Sequence, residues 1–213
     1  MERFQQLLVD NGYNIGNSGP KKDGVDGDIG KKTLAAAGQY VKDLCRVKEL
    51  IFFPDNPYWF RTSDIFTDKF SDFCVNVNGG KAVSVIEATT KAGKYYVCNP
   101  LTVGGITGTG VVVEGQYIDS HEWVPKGKWG GGYFRQIKPI LVYRDGNKDN
   151  KLDKNIVQKA PNWYTFFMHA MGKGFSIWDW SAGCLGSPLA QWLKGICSFY
   201  KPKQKVSMII FEV

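Results

Sequence analysis

The sequence predicts an α+β chain: a small helical module over residues 1–45, followed by a mainly β domain over residues 50–213. Three observations carry that reading. Phe4, Leu7 and Leu8 fall on one face at helical spacing, ahead of a Gly/Asp-rich loop and a second helix-forming run. After Leu50 the texture changes to short segments rich in Val, Ile, Tyr and Thr, separated by Gly, Asn and Asp clusters. The length, 213 residues, suits one small module joined to one medium domain.

The first helix is expected over residues 2–12 and stops at Gly12. Asn14 to Gly30 reads as loop. A second helix is expected from about Lys31 to Leu44, through the good helix formers of KKTLAAAGQYVKDL. Within the loop, the run Asp26-Gly27-Asp28-Ile29-Gly30-Lys31-Lys32-Thr33 lets glycines bend the backbone while Ile29 plugs a small core. Together with FQQLLVDNGYNIG, this run resembles the three-helix peptidoglycan-binding module. The insert GNSGPKK before the turn departs from that pattern and affects the groove that would meet the wall.

In the second part, AVSVIEATT, KYYVCNP, GVVVEGQYI, KPILVYRD and VSMIIFEV read as strand segments. One late helix is expected over 187–200, with Ser187 as N-cap and Pro188 at the first helical position. A last strand runs from Lys205 to Val213.

The formal net charge is +7. Residues 1–45 hold six basic and six acidic side chains, so the rest of the chain carries the excess. A basic surface suits an anionic partner, which includes nucleic acid and a bacterial wall. The aromatic and basic residues are not interleaved in a nucleic-acid recognition motif, so nucleic acid is not the expected partner. No apolar run is long enough to span a bilayer. The N-terminus MERFQQLLVDNGY has no export-signal pattern, which predicts synthesis in the bacterial cytoplasm. Five scattered cysteines without a CxxC pair fit neither a zinc ribbon nor a disulfide framework.

One cysteine stands apart. Cys184 lies in WSAGCLGSP, fifteen positions after His169 in TFFMHAM, across a Gly-rich aromatic loop. A free thiol has a pKa of about 8.5, and a neighbouring imidazolium lowers it toward thiolate at neutral pH. Gly183 permits a close bend, which makes the Gly183 and Cys184 amides candidate oxyanion donors.

The order His169 … Ser181-Ala182-Gly183-Cys184 resembles the active-site motif of the L,D-transpeptidase catalytic fold. Ala182 replaces the histidine often found there. Thr89, Thr90 and Gly93 match an upstream Thr-Thr-x-x-Gly element of the phage and bacterial wall-enzyme branch. Gln136, Pro139, Val142, Arg144 and Asp145 match its Gln-x-x-Pro strand. The resemblance implies that Cys184 attacks a stem-peptide carbonyl and that His169 moves the proton. Gly183 then helps hold the oxyanion and Ser181 orients the loop. It further implies substrate contacts from His121, Arg144, Trp180 and Gln136. His121 is a candidate to line the cleft, or else an exposed loop residue. Arg144 is a candidate carboxylate clamp, or else half of a surface ion pair.

Asp145, Asn147, Asp149 and Asp153 place side-chain oxygens at positions 1, 3, 5 and 9 of a calcium-loop pattern. Asn150 at the sixth position and Ile156 at the twelfth break it, so a polar turn is the competing reading. Calcium bound there would be weak and structural; thiol acyl transfer itself needs no cofactor.

These features point to an endolysin-type cysteine peptidase that cuts peptidoglycan stem peptides in the periplasm or wall. The alternatives are an L,D-transpeptidase that forms or exchanges cross-links and an inactive wall-binding or virion protein. Oligomeric state is not predicted.

Overall fold

The computed structural model describes residues 1–127, 129–162, 166–172, 174 and 176–213. Two helices open the chain, α1 (Glu2–Asp10) and α2 (Lys31–Val47). Strands β1 (Asn56–Arg61), β2 (Asp72–Asn78) and β3 (Lys81–Ala88) follow, then a short helix α3 (Lys94–Cys98). A small hairpin pairs β4 (Thr102–Val103) with β5 (Ile106–Thr107). Next come β6 (Thr109–Val112), β7 (Gly115–Val124), β8 (Tyr133–Gln136), β9 (Ile140–Asp145) and β10 (Val157–Ala160). The chain ends with β11 (Met168–Ala170), β12 (Leu185–Ser187), α4 (Leu189–Trp192), a π-helical turn Leu193–Cys197, and β13 (Lys205–Glu212).

The main sheet has the order β12-β11-β8-β7-β13-β1-β2-β3. Its two edges meet: the Thr89 amide donates to the Gly186 carbonyl at 2.8 Å, and the Gly186 amide returns to Thr89 at 3.0 Å. The sheet is therefore nearly closed, and the closure lies two residues from Cys184. A second sheet, β10-β9-β6, joins the same core from the other side through Val112, Ile140, Val142 and Ala160.

Period-2 alternation explains how both faces of the main sheet are filled. Trp59, Met208 and Ile210 enter the inner core with Phe134, Met168, Leu185 and Trp192. Their neighbours Tyr58, Phe60, Ile209 and Phe211 face the other way, onto Phe4, Leu8, Ala37, Tyr40 and Val41 of the two helices. Strand β13 is buried on both faces and so reads as an almost unbroken apolar run.

The helical segment expected as a three-helix module contains two helices, with turns between Asn11 and Gly30. It shares one continuous apolar cluster with the sheet. Buried Gln5 organises the Asp-Gly loop. Its amide nitrogen donates to the Gly24 and Asp28 carbonyls and to Asp26 Oδ1, and its oxygen accepts from the Asp26 and Gly27 amides.

Three expected elements differ. KYYVC forms α3, because the Lys94 amide is tethered to Asp68 Oδ1 and Gly93 enters in an extended conformation. GVVVEGQYI breaks near Glu114 and supplies strands to both sheets. The late helix starts at Leu189, not Ser187, and widens into a π turn whose Gly195 carbonyl accepts from Asn76 Nδ2 and Ser84 Oγ.

Candidate active site

Strands β11 and β12 are parallel, in the register Met168↔Leu185, His169↔Gly186 and Ala170↔Ser187. Met168 and Leu185 point into the inner core, so His169 and Gly186 face away from it. Cys184 lies two positions before Gly186 and packs with Met171, Phe70 and Ile177, on the face that His169 also uses. The fold thus brings Cys184, at the entry to β12, and His169, in β11, to one face, two residues apart in register.

His169 is buried, and its Nδ1 lies 2.6 Å from the Ala170 carbonyl. A carbonyl only accepts, so Nδ1 carries a proton, and in the neutral form of the ring the basic nitrogen is Nε2. The ring stacks on Trp129, with centroids 4.2 Å apart at 23°. Trp129 was not singled out in the sequence; an indole in the glycine run KGKWGGGY was the available signal.

The Ser181–Cys184 turn is closed by its own first side chain. Ser181 Oγ donates to the Cys184 carbonyl at 2.8 Å and accepts the Gly183 amide at 3.0 Å. The Gly183 N–H, expected as an oxyanion donor, thus donates to Ser181 Oγ in this structure. Gly183 has φ +140°, and a Cβ there would run into the Gly110 carbonyl and come within 2.6 Å of the Phe166 ring. The position requires glycine on both counts.

The Thr89–Gly93 segment braces the same turn. The Gly93 amide donates to the Ser181 carbonyl at 2.9 Å, next to the Thr89–Gly186 closure. Beneath it lies a buried charged network. Asp72 accepts from the Thr90 amide and hydroxyl and from Lys91 Nζ, while Arg61 Nε donates to Thr90 Oγ1. Burial lowers the Lys91 pKa, opposed by the Asp72 charge.

His121 and Gln136 are paired across β7 and β8, and both are buried. His121 Nε2 donates to the Phe166 carbonyl at 2.8 Å, and its Nδ1 lies 2.8 Å from Ser120 Oγ. Burial pushes its pKa down to about 4. Gln136 Oε1 accepts the Phe166 amide, and its nitrogen donates to the Lys138 and Ala160 carbonyls. The two residues expected to contact substrate are thus buried on paired strands and bonded within the fold. Both side chains spend their hydrogen bonds inside the fold, holding the residue whose ring lies against Gly183.

Arg144 is buried rather than paired on the surface. Its Nη2 donates to the Leu101 and Ile106 carbonyls. It lines a small cleft of about 80 Å³ with Tyr96, Thr109, Phe166 and Ala182, beside the Cys184 turn. Trp180 is 44% exposed at the entrance to that turn. A larger cleft of about 570 Å³ is lined by Asp68, Lys69, Phe70, Glu87 and Ser176, and Phe70 also packs with Cys184.

The calcium-like segment folds as successive Asx turns. Asp145, Asn147 and Asp149 each accept the amide two residues on, and Asp153 Oδ2 accepts from the Asn147 side chain. Among the described residues, no group of three or more His, Cys, Asp or Glu side chains is arranged to hold a metal ion. Among the same residues, no helix is long and apolar enough to cross a membrane.

No protein-family model and no curated protein matches the chain. Among solved structures, the L,D-transpeptidase from Xylanimonas cellulosilytica is similar at 14% identity and a TM-score of 0.36, over 99% of this chain and 92% of that one.

Proposed function

We propose that this chain is a cysteine acyl-transfer enzyme acting on peptidoglycan stem peptides in the periplasm or wall. What supports the reading is the β11–β12 register, in which Cys184 enters β12 two positions before the partner of His169, together with the Nδ1 bond to the Ala170 carbonyl, which turns Nε2 of a neutral ring into the basic nitrogen. In this reading Nε2 takes the thiol proton as sulfur attacks the peptide carbonyl. The C–N bond breaks, the imidazolium returns its proton to the leaving amine, and a thioester remains on Cys184. Water resolves it in a peptidase; an acceptor amine resolves it in a transpeptidase. Ser181 holds the turn through the Cys184 carbonyl, and thiol acyl transfer requires no cofactor.

Arg144 is the proposed partner for a substrate carboxylate, because its guanidinium lines the cleft at Ala182. Trp180 is proposed to flank the peptide. Residues 1–45, which pack on the sheet through a shared apolar cluster, are proposed as the wall-contacting segment.

The test is incubation of the protein and its Cys184→Ala variant with defined muropeptides, read by mass spectrometry. Shortened or uncrosslinked products dependent on Cys184 identify a peptidase, the outcome the endolysin-type reading expects. New cross-links or exchanged terminal residues identify a transpeptidase. No product from any wall chemistry overturns the enzyme reading and leaves a wall-binding or virion protein.

A further inference from the structure

Two large aromatic side chains stand exposed beside the Cys184 turn. Tyr95 is 41% and Trp178 51% accessible, and their rings lie 6.0 Å apart at 57°. They come from chain segments more than eighty residues apart, yet one carboxylate ties the backbone of both segments together. Asp68 Oδ1 accepts the Lys94 amide, adjacent to Tyr95, at 3.2 Å and the Trp178 amide at 2.6 Å. Its Oδ2 accepts the Ser176 hydroxyl, and the Asp68 carbonyl accepts the Ile177 amide. Gly93 approaches so closely that a Cβ there would fall on the Trp178 carbonyl. Trp178 itself has φ +37°, a conformation a bulky residue enters only under constraint.

A pair of exposed, mutually packed rings on backbone tied to one carboxylate is an organised surface, not loose apolar area. The same Asp68, with Ser176, lines the 570 Å³ cleft together with Lys69, Phe70 and Glu87, so polar groups lie next to the segment that carries the rings. Flat aromatic faces beside hydroxyl, carboxylate and ammonium groups match a sugar ring. The axial C–H face of a pyranose stacks on an aromatic ring while its hydroxyl and amide substituents need hydrogen-bond partners at the edge. An aliphatic helix or lipid tail would leave those polar groups desolvated without partners.

We propose that Tyr95 and Trp178 form a stacking platform for a pyranose, so that the cleft takes an amino sugar of the glycan attached to the stem peptide. This deepens, and rests on, the wall-peptide reading of the Cys184 site. The platform is a specificity element and takes no part in the bond change.

The test uses the full chain and titration calorimetry with a tetramer of N-acetylglucosamine. Parallel kcat/KM measurements compare a sugar-free stem peptide with a glycan-bearing one. Trp178→Ala and Tyr95→Ala are expected to weaken sugar binding about tenfold each, with Trp178→Phe within about threefold of the original. Both alanine variants are expected to process the sugar-free peptide at the original rate while losing the preference for the glycan-bearing one. Sugar binding by the original protein that both alanine variants retain undiminished overturns the platform, as does absence of sugar binding. If the sugar binds through these rings but Cys184 yields no product from either peptide, the platform stands and the acyl-transfer reading falls.

Discussion

The Nε2 of His121 donates a 2.8 Å hydrogen bond to the carbonyl of Phe166, forty-five residues away. Gln136 accepts the amide of the same residue at 3.0 Å. Both backbone groups of Phe166 are therefore held from one strand pair. Its ring packs against Gly183, and its chain continues three residues on to His169. A single anchored residue thus sets the height of the Cys184 turn and the start of the strand that carries the candidate base.

This anchor makes stability pH-dependent. His121 has a folded pKa of about 4, below an unfolded value of about 6.5. Between those values the unfolded chain binds a proton that the folded chain refuses, so its stabilisation is intact above pH 6.5 and falls as pH drops toward 4. The loss from this group is about 3 kcal/mol, complete once pH lies below both values. Urea denaturation of the original protein and His121→Gln at pH 7, 5.5 and 4 measures it. The original should lose stability more steeply across that window; equal slopes would show that His121 does not carry the effect.

Gly183→Ala is expected to damage both fold and site. The new methyl meets the Gly110 carbonyl and the Phe166 ring, at a backbone angle of +140° that L residues rarely adopt. The expected cost is about 3 kcal/mol or more. Alkylation of Cys184 by iodoacetamide, followed by mass spectrometry, should also change rate as the turn shifts. A variant with unchanged melting and alkylation would refute the tight packing described for this turn.

Much of this arrangement was legible in the sequence, and the rest was hidden for definable reasons. Strand β13 announced itself by its apolar run, and the Ser-Ala-Gly-Cys turn by its local motif. His121 did not: its role depends on a carbonyl forty-five positions away, and no local pattern reports that. KYYVC carries strand-forming residues, yet tertiary tethers at Asp68 and Gly93 turn it into a helix. The bond from the Gly183 amide to Ser181 Oγ, two residues earlier, depends on how the turn folds back on itself, which the motif alone does not report. Arg144 beside Asp145 suggested a surface pair; in the fold it is buried and donates to the Leu101 and Ile106 carbonyls at the β4–β5 hairpin.

Ser181 provides a sharper test of the turn. Ser181→Ala removes the acceptor of the Gly183 amide and the donor to the Cys184 carbonyl together. Leaving these groups unpaired costs about 2 kcal/mol. Cys184-dependent product formation from muropeptides should fall by about tenfold or more, because the turn no longer holds the sulfur in one position. Retention of full activity would remove Ser181 from the site.

The Lys91–Asp72 pair underlies that turn from the other side. Both side chains are buried, with Nζ 3.1 Å from Oδ1, and Asp72 also holds Thr90. Lys91→Met leaves the Asp72 charge buried with its hydroxyl and amide partners but without its cation. The expected loss is about 3–5 kcal/mol, typical of breaking one side of a buried ion pair. Removing the charge as well, in Lys91→Met with Asp72→Asn, should recover part of that loss, since the asparagine oxygen can still accept from Thr90. Chemical denaturation of both single variants and the double variant yields the coupling energy directly. Additive effects would mean that the two residues act separately; a double variant more stable than Lys91→Met alone would show that the buried charge, rather than the lost lysine packing, dominates the cost.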